Sequence, residues 1–226
     1  MERLTIAIDG PAGAGKSTVA RRVAQRLGYL YIDTGAMYRA LTLAAQRRGV
    51  SPHDEDALAK LARVLTIAFA ADGNGQRVLL DGEDVTDAIR APDVTAEVSH
   101  VARHPLVREV MVEKQRELAK DGGIVMDGRD IGTHVLPNAD VKIYLTASID
   151  ERARRRQREM EARGYHVSLE TVKKEIARRD RLDSERAVAP LQKAADARLL
   201  DTTGLSVDDV VEEILAMCRT RGREGE

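Results

Sequence analysis

Residues 4–18 read Leu4-Thr5-Ile6-Ala7-Ile8-Asp9-Gly10-Pro11-Ala12-Gly13-Ala14-Gly15-Lys16-Ser17-Thr18. Gly10 to Ser17 matches the pattern G-x-x-x-x-G-K-[ST] in full. The context is the one that pattern requires. Leu4 to Ile8 reads as a short buried strand. Ala20, Val23, Ala24 and Leu27 recur at helical spacing, and Gly28 closes the helix as a C-terminal cap. Wrapping a triphosphate takes backbone N–H groups at close range, and glycines allow that approach. The start of the following helix adds unpaired donors and the positive end of a dipole. In such a loop Lys16 neutralises the β- and γ-phosphates of ATP, and Ser17 offers a hydroxyl to Mg²⁺. The alternative is a glycine-rich turn that binds nothing, and the strand and helix on either side argue against it.

Outward from this loop, strands and helices alternate. Tyr29 to Ile32 is predicted as a second strand. Asp33 or Thr34 caps a helix that runs to about Arg48 and stops at Gly49. Residues 54–65 form another helix. The texture then changes: 66–70 and 77–80, joined by Asp72-Gly-Asn-Gly75, read as a β-hairpin, with a further short strand near 83–85. Helices follow at about 93–102 and 105–120. Gly123 to Asp127 and Val141 to Leu145 are buried strands. A charged helix begins at Ile149, and another at about Ser168 after Gly164. A last strand at 198–200 precedes a helix from about Ser206 to Arg219, and 220–226 is a frayed tail. The class is α/β: a mostly parallel sheet covered on both faces, with antiparallel material inserted at about 66–90.

Composition narrows the function. The 226 residues suit one domain with a small insert, and 43% apolar content gives it a sizeable core. Aromatics are only 3%, so that core is aliphatic. The 36 basic residues, of which 28 are Arg and 8 Lys, are balanced by 37 acidic ones. A net charge of −1 argues against a nucleic-acid binder. Cys218 is the only cysteine, which excludes an internal disulfide and fits a reducing compartment, here the cytoplasm. No apolar run reaches membrane-spanning length, and the first residues do not read as a signal peptide. His53, His100, His104, His134 and His166 show no metal-ligand spacing.

Phosphoryl transfer between two anions needs cations that close over them. Arg39 lies on the helix opened by Asp33-Thr-Gly-Ala-Met-Tyr38, and Arg129 lies inside Asp127-Gly-Arg-Asp130. A third group is Arg152-Ala-Arg-Arg-Arg156-Gln-Arg158, in which 152, 155 and 156 share one helical face and 154 and 158 another. Its plainer readings are a solvated face or a nucleic-acid patch. Arg179, Arg181 and Arg186 form a further group. Asp127 ends an apolar strand, where a second carboxylate holds Mg²⁺ directly or through water. Its alternative role is to cap the turn before Gly128. Lys16, Arg129, Arg152 and Arg156 are the candidate catalytic cations.

Four stretches carry a resemblance: Gly10 to Ser17, Asp33-Thr-Gly-Ala-Met-Tyr-Arg39, Asp127-Gly-Arg-Asp-Ile-Gly-Thr133, and Asp180-Arg-Leu-Asp-Ser-Glu-Arg-Ala-Val-Ala-Pro-Leu191. In this order they resemble the signature segments of the bacterial cytidylate kinase family and span nearly the whole chain. The resemblance implies a nucleoside-monophosphate kinase fold of P-loop type. It has a five-stranded parallel core (about 1–33, 103–150 and 187–220), a monophosphate-binding region with an antiparallel insert (about 34–102) and a short helical lid (about 151–186). The tail, 221–226, stands apart. The implied reaction is ATP plus CMP or dCMP giving ADP plus CDP or dCDP, by a cytoplasmic monomer that uses neither nucleic acid nor membrane.

Carried over by position, residues 10–18 hold ATP. Thr34, Tyr38 and Arg39 line the monophosphate pocket, with Arg39 and Arg129 on the phosphate. Ser99, Arg108 and Asp130 meet cytosine, Arg179 and Asp183 hold the sugar, and Arg186 lies near phosphate or sugar. Ser17 replaces a glycine found in some relatives, and Thr34 a serine. Chemically, a carboxylate at 130 accepts from the cytosine N4 amino group and meets a lone pair in uracil. Asp130 otherwise reads as a helix cap or a partner of Arg129. Another small-molecule P-loop kinase is the nearest rival. A GTPase-type switch would need an Asn-Lys-x-Asp stretch, which is absent.

Overall fold

A computed structural model of the protein describes residues 3–72 and 75–224. The chain folds as two compact units, one of residues 1–32 and 119–226, the other of 33–118.

The first unit is built on a five-stranded sheet in the order β2-β6-β1-β7-β8. Its strands are β1 (Thr5–Asp9), β2 (Leu30–Asp33), β6 (Ile124–Gly128), β7 (Val141–Thr146) and β8 (Arg198–Asp201). β1 pairs parallel with both β6 and β7, and β8 runs parallel to β7. Parallel neighbours need long crossovers, which the intervening helices supply. α1 (Lys16–Leu27) and α8 (Val207–Glu224) pack on it. Val19, Val23, Val210 and Ile214 bury their side chains against Ile6, Ile8, Ile143 and Leu145. Each fully buried aliphatic side chain of this kind is worth roughly 1.5–3 kcal/mol. α6 (Ile149–Glu161) and α7 (Leu169–Glu185) form a hairpin with a small core of its own, Ala153, Met160, Val172 and Ile176. Ser148 and Ser168 cap these two helices by accepting from Glu151 N and Thr171 N.

In the second unit, α2 (Thr34–Arg47) starts at Asp33, whose side chain accepts from Ala36 N at 2.8 Å. α3 (Glu55–Val64) is capped in the same way by Asp54. The inserted antiparallel sheet is real: β3 (Ile67–Asp72), β4 (Gly75–Leu80) and the short β5 (Glu83–Asp84) lie in that order. The register sets Phe69 opposite Val78 and Ile67 opposite Leu80. Gly73 and Asn74, the centre of the expected turn, lie outside the described residues. α4 (Pro92–Ala102) and α5 (Pro105–Ala119) follow, the former with Pro in its first turn, where its missing N–H costs nothing.

Three details of the described residues depart from the sequence reading, the first a short 3-10 turn at Ala88–Arg90 inside the inserted region. A π-helical turn at Ile131–Val135 stands where no element was predicted. The last helix continues past Arg219 to Glu224, into residues expected to fray, while 225 and 226 lie outside the described residues.

Candidate active site

The phosphate loop leaves β1 at Asp9 and enters α1 at Lys16. Gly10 has φ +148°, and a Cβ there would sit 2.0 Å from the carbonyl oxygen of Leu145. Gly13 has φ +75°, and its Cβ would meet the Arg152 carbonyl oxygen at 2.9 Å. No side chain fits either position, so the loop backbone stays bare. Lys16 is buried and donates to the Pro11 carbonyl at 2.8 Å. Burial, with Arg129 and Arg179 adding repulsion, pushes its ammonium down to about 7, against the pull of Asp127 and Asp9. Thr18 is exposed in the first turn of the helix.

β6 delivers the second carboxylate. Asp127 is buried, and Ser17 Oγ donates to its Oδ2 at 3.0 Å. Tyr31, from the neighbouring strand β2, donates through its hydroxyl to Oδ1 at 2.8 Å. Both Asp127 oxygens thus accept from side chains, one of them the loop serine. Among the described residues no cluster of three or more His, Cys, Asp or Glu could cage a metal. One hydroxyl beside one carboxylate is nonetheless a fitting hard-oxygen set for Mg²⁺, which takes one or two protein ligands and fills the rest with water and phosphate oxygens.

The segment after β6 carries Arg129 and Asp130. Arg129 Nε donates to Asp183 at 2.9 Å, and Arg186 donates to Asp130 at 2.9 Å. Asp130 thus pairs with Arg186, not with its neighbour Arg129 as one sequence reading had it. Burial alone would raise the Asp183 carboxyl, but Arg129, Arg179 and Arg186 outweigh it and hold the group low. Burial, with Arg129 close by, takes Arg179 down to about 10. The Nε of Arg179 is buried with no hydrogen-bond partner. An orphaned donor among cations is what an anion would satisfy. Asp9 anchors the segment from below: its two oxygens accept from Ile131 N and Gly132 N, both at 2.8 Å.

The predicted helical faces of α6 hold. Arg152 is buried, Arg155 and Arg156 are half-buried, and Arg154 and Arg158 are exposed. Arg152 donates to the carbonyls of Ala12 and Ala147, both at 3.0 Å, and pairs with Asp180. Asp180 also accepts from Ala12 N at 3.1 Å, so the α6–α7 hairpin grips the loop backbone. Arg156 turns instead to Glu159 at 3.0 Å.

The remaining sequence-predicted residues belong to the second unit. Thr34, Tyr38, Arg39, Ser99 and Arg108 are all buried there. Arg39 donates to Thr95 Oγ1 at 2.7 Å and to the Ile89 carbonyl at 3.3 Å. The Arg108 guanidinium lies 5.7 Å from the centre of the Tyr38 ring, within cation–π range.

A family model described as Cytidylate kinase matches residues 6–220. The chain belongs to the cytidylate kinase family. A cytidylate kinase from Geobacillus kaustophilus (strain HTA426) is 63% identical over 219 residues, covering 97% of this chain and 98% of that protein. One from Anoxybacillus flavithermus is 58% identical over 220 residues, with the same coverage. In fold, an uncharacterized protein from Eubacterium ventriosum superposes with a TM-score of 0.54 at 14% identity, covering 97% of this chain and 99% of that one.

Three residues that touch the cytidylate kinase segments escaped the sequence reading. Asp9 follows the first predicted strand and Asp180 opens the fourth resembling stretch, and neither was given a role. Tyr31 read as an ordinary strand residue, and nothing in the local sequence ties its hydroxyl to a partner 96 positions away.

Proposed function

We propose that this chain transfers the γ-phosphoryl group of ATP to CMP or dCMP, giving ADP and the corresponding diphosphate. The observation that carries the reading is the β1–β6 register, in which Asp9 lies opposite Gly128. It sets the ends of the two adjacent strands side by side, so the phosphate loop starts next to the segment bearing Arg129 and Asp130. Residues 10–18 would wrap the triphosphate, with Lys16 on its terminal phosphates. Ser17 and Asp127 would hold Mg²⁺, whose charge, when bound, offsets that of the phosphate oxygens.

Arg129, Arg152 and Arg156 supply charge to the transferring group, and Arg39 and Arg129 meet the acceptor phosphate. Arg156 would have to leave Glu159 to do so. Thr34 and Tyr38 line the acceptor pocket. Asp130, Ser99 and Arg108 read cytosine, and Arg179, Asp183 and Arg186 the sugar and phosphate. The acceptor is already an anion, so no protein base is required. We assign residues 151–186 as the lid. A cytoplasmic monomer fits a chain whose one thiol, Cys218, is buried and raised to about 11 by that burial.

The deciding experiment is a coupled assay of ADP release with Mg²⁺ and CMP, dCMP, UMP, AMP or no acceptor. CMP and dCMP should turn over well ahead of UMP and AMP. ADP release that ignores the acceptor, or that is highest with AMP, would overturn the reading.

A further inference from the structure

Asp127 is held from two sides. Ser17 donates to one carboxylate oxygen at 3.0 Å and Tyr31 to the other at 2.8 Å. The two donors are not equivalent. Ser17 leads α1 and its hydroxyl sits at the phosphate loop. By giving its proton to Asp127 it keeps its lone pairs for a cation. Tyr31 is on β2, and its ring is buried in the apolar core of the first unit with Val23, Ala24 and Val125. Its hydroxyl is therefore a fixed point, set by packing and not by the loop.

A buried aspartate has two side-chain torsions to settle. The strand backbone and the walls of the site fix the first. The second, which turns the carboxylate plane, is set by whatever donates to each oxygen. Tyr31 donates to one oxygen and the loop hydroxyl to the other.

We propose that Tyr31 is a positioning residue for the magnesium-binding half of the site, acting through Asp127. It locks the carboxylate plane so that the Ser17 hydroxyl is spent on one oxygen and turned ready toward the ion. The proposal rests on the reading above that Ser17 and Asp127 hold Mg²⁺. Partners behind a metal's direct ligands typically change metal affinity by about 10–100-fold when removed. A single neutral donor belongs at the lower end of that range.

The test uses Mn²⁺ as a probe and an ATP analogue that cannot transfer its phosphoryl group. Free Mn²⁺ is counted by electron paramagnetic resonance in the presence of saturated protein. Tyr31→Phe keeps the ring and removes only the hydroxyl. It should weaken Mn²⁺ binding to the protein–nucleotide complex about tenfold, with metal-free nucleotide affinity and KM for CMP within about twofold of the parent. Tyr31→Leu is a second variant suited to a buried strand and should behave alike. In an Asp127→Asn background, Tyr31→Phe should add nothing, because the route runs through that carboxylate.

If Asp127→Asn weakens Mn²⁺ binding but Tyr31→Phe does not, the proposal fails and the metal reading stands. If neither changes it, the metal reading itself falls. Equal loss of metal-free nucleotide binding, or failure of both Tyr31 variants to fold, assigns Tyr31 to the core alone and overturns the proposal.

Discussion

Replacing Asp9 with Asn tests how the segment after β6 is held. Asp9 is buried at the end of β1, accepting from Ile131 N and Gly132 N. Burial raises its carboxyl to about 6 from 3.8, with Asp130 adding repulsion, while the two backbone donors and Lys16 pull the other way. A carboxyl raised on folding is costlier to ionise in the folded state than in the unfolded one. Its contribution to stability is fully present below the unfolded value and is lost as pH rises through the folded one. A rise of about two units corresponds to about 3 kcal/mol. About 2 kcal/mol of this falls between about pH 4.5 and about pH 7.5. Asp9→Asn removes the titration and leaves a constant offset, because its amide can accept from only one of the two N–H groups. Urea unfolding of both proteins at the two pH values isolates the effect. The parent's advantage over Asp9→Asn should shrink by about 2 kcal/mol on going to the higher pH. Parallel pH dependences, or an advantage that grows, would refute the account.

Gly10→Ala should abolish activity or folding, since its Cβ would be forced to within 2.0 Å of the Leu145 carbonyl oxygen; expression and the coupled assay check this. Arg186→Ala strips a buried carboxylate of a charged partner and should cost about 3–5 kcal/mol in denaturant unfolding. Arg186→Ala combined with Asp130→Ala should recover part of that loss. Asp130→Ala alone should lose preference for CMP over UMP in kcat/KM, whereas an equal loss on both substrates would remove Asp130 from base recognition.

The strands and the phosphate loop were legible because they are local. An apolar run, a glycine pattern and a capping Asp each fix the backbone within a few residues. The helical faces of Arg152 to Arg158 were legible for the same reason, since 3.6-residue periodicity alone sorts them. The turn at Ile131–Val135 was not. Its Ile, Thr and Val favour strands, and it exists because Asp9, some 120 positions earlier, catches its first two N–H groups. Gly132 permits this, as a Cβ there would meet the Lys142 side chain at 3.2 Å and Asp9 Oδ2 at 3.4 Å. The choice of ion-pair partners was equally hidden. Arg129 takes Asp183 and Asp130 takes Arg186, pairings that depend on where α7 lies and not on sequence neighbours. The end of α8 escaped because Thr220 to Glu224 carries no apolar residue to mark a helix.

These pairings explain how a chain with net charge −1 can present so many cations around one loop. Arg129, Arg152 and Arg186 each hold a carboxylate, so little of the cluster's charge is uncompensated within the fold. The compensation is nevertheless incomplete. Lys16 is driven down to about 7, and Arg179 to about 10. In both cases burial leads and Arg129 follows. A protein that depresses a lysine and an arginine this far lacks negative charge at that spot. A phosphate chain would supply it, relieving desolvation and repulsion together and bonding the orphaned Arg179 Nε. The carboxylates offset much of the cluster's charge without neutralising it, and the imbalance that remains would favour an anion at that spot.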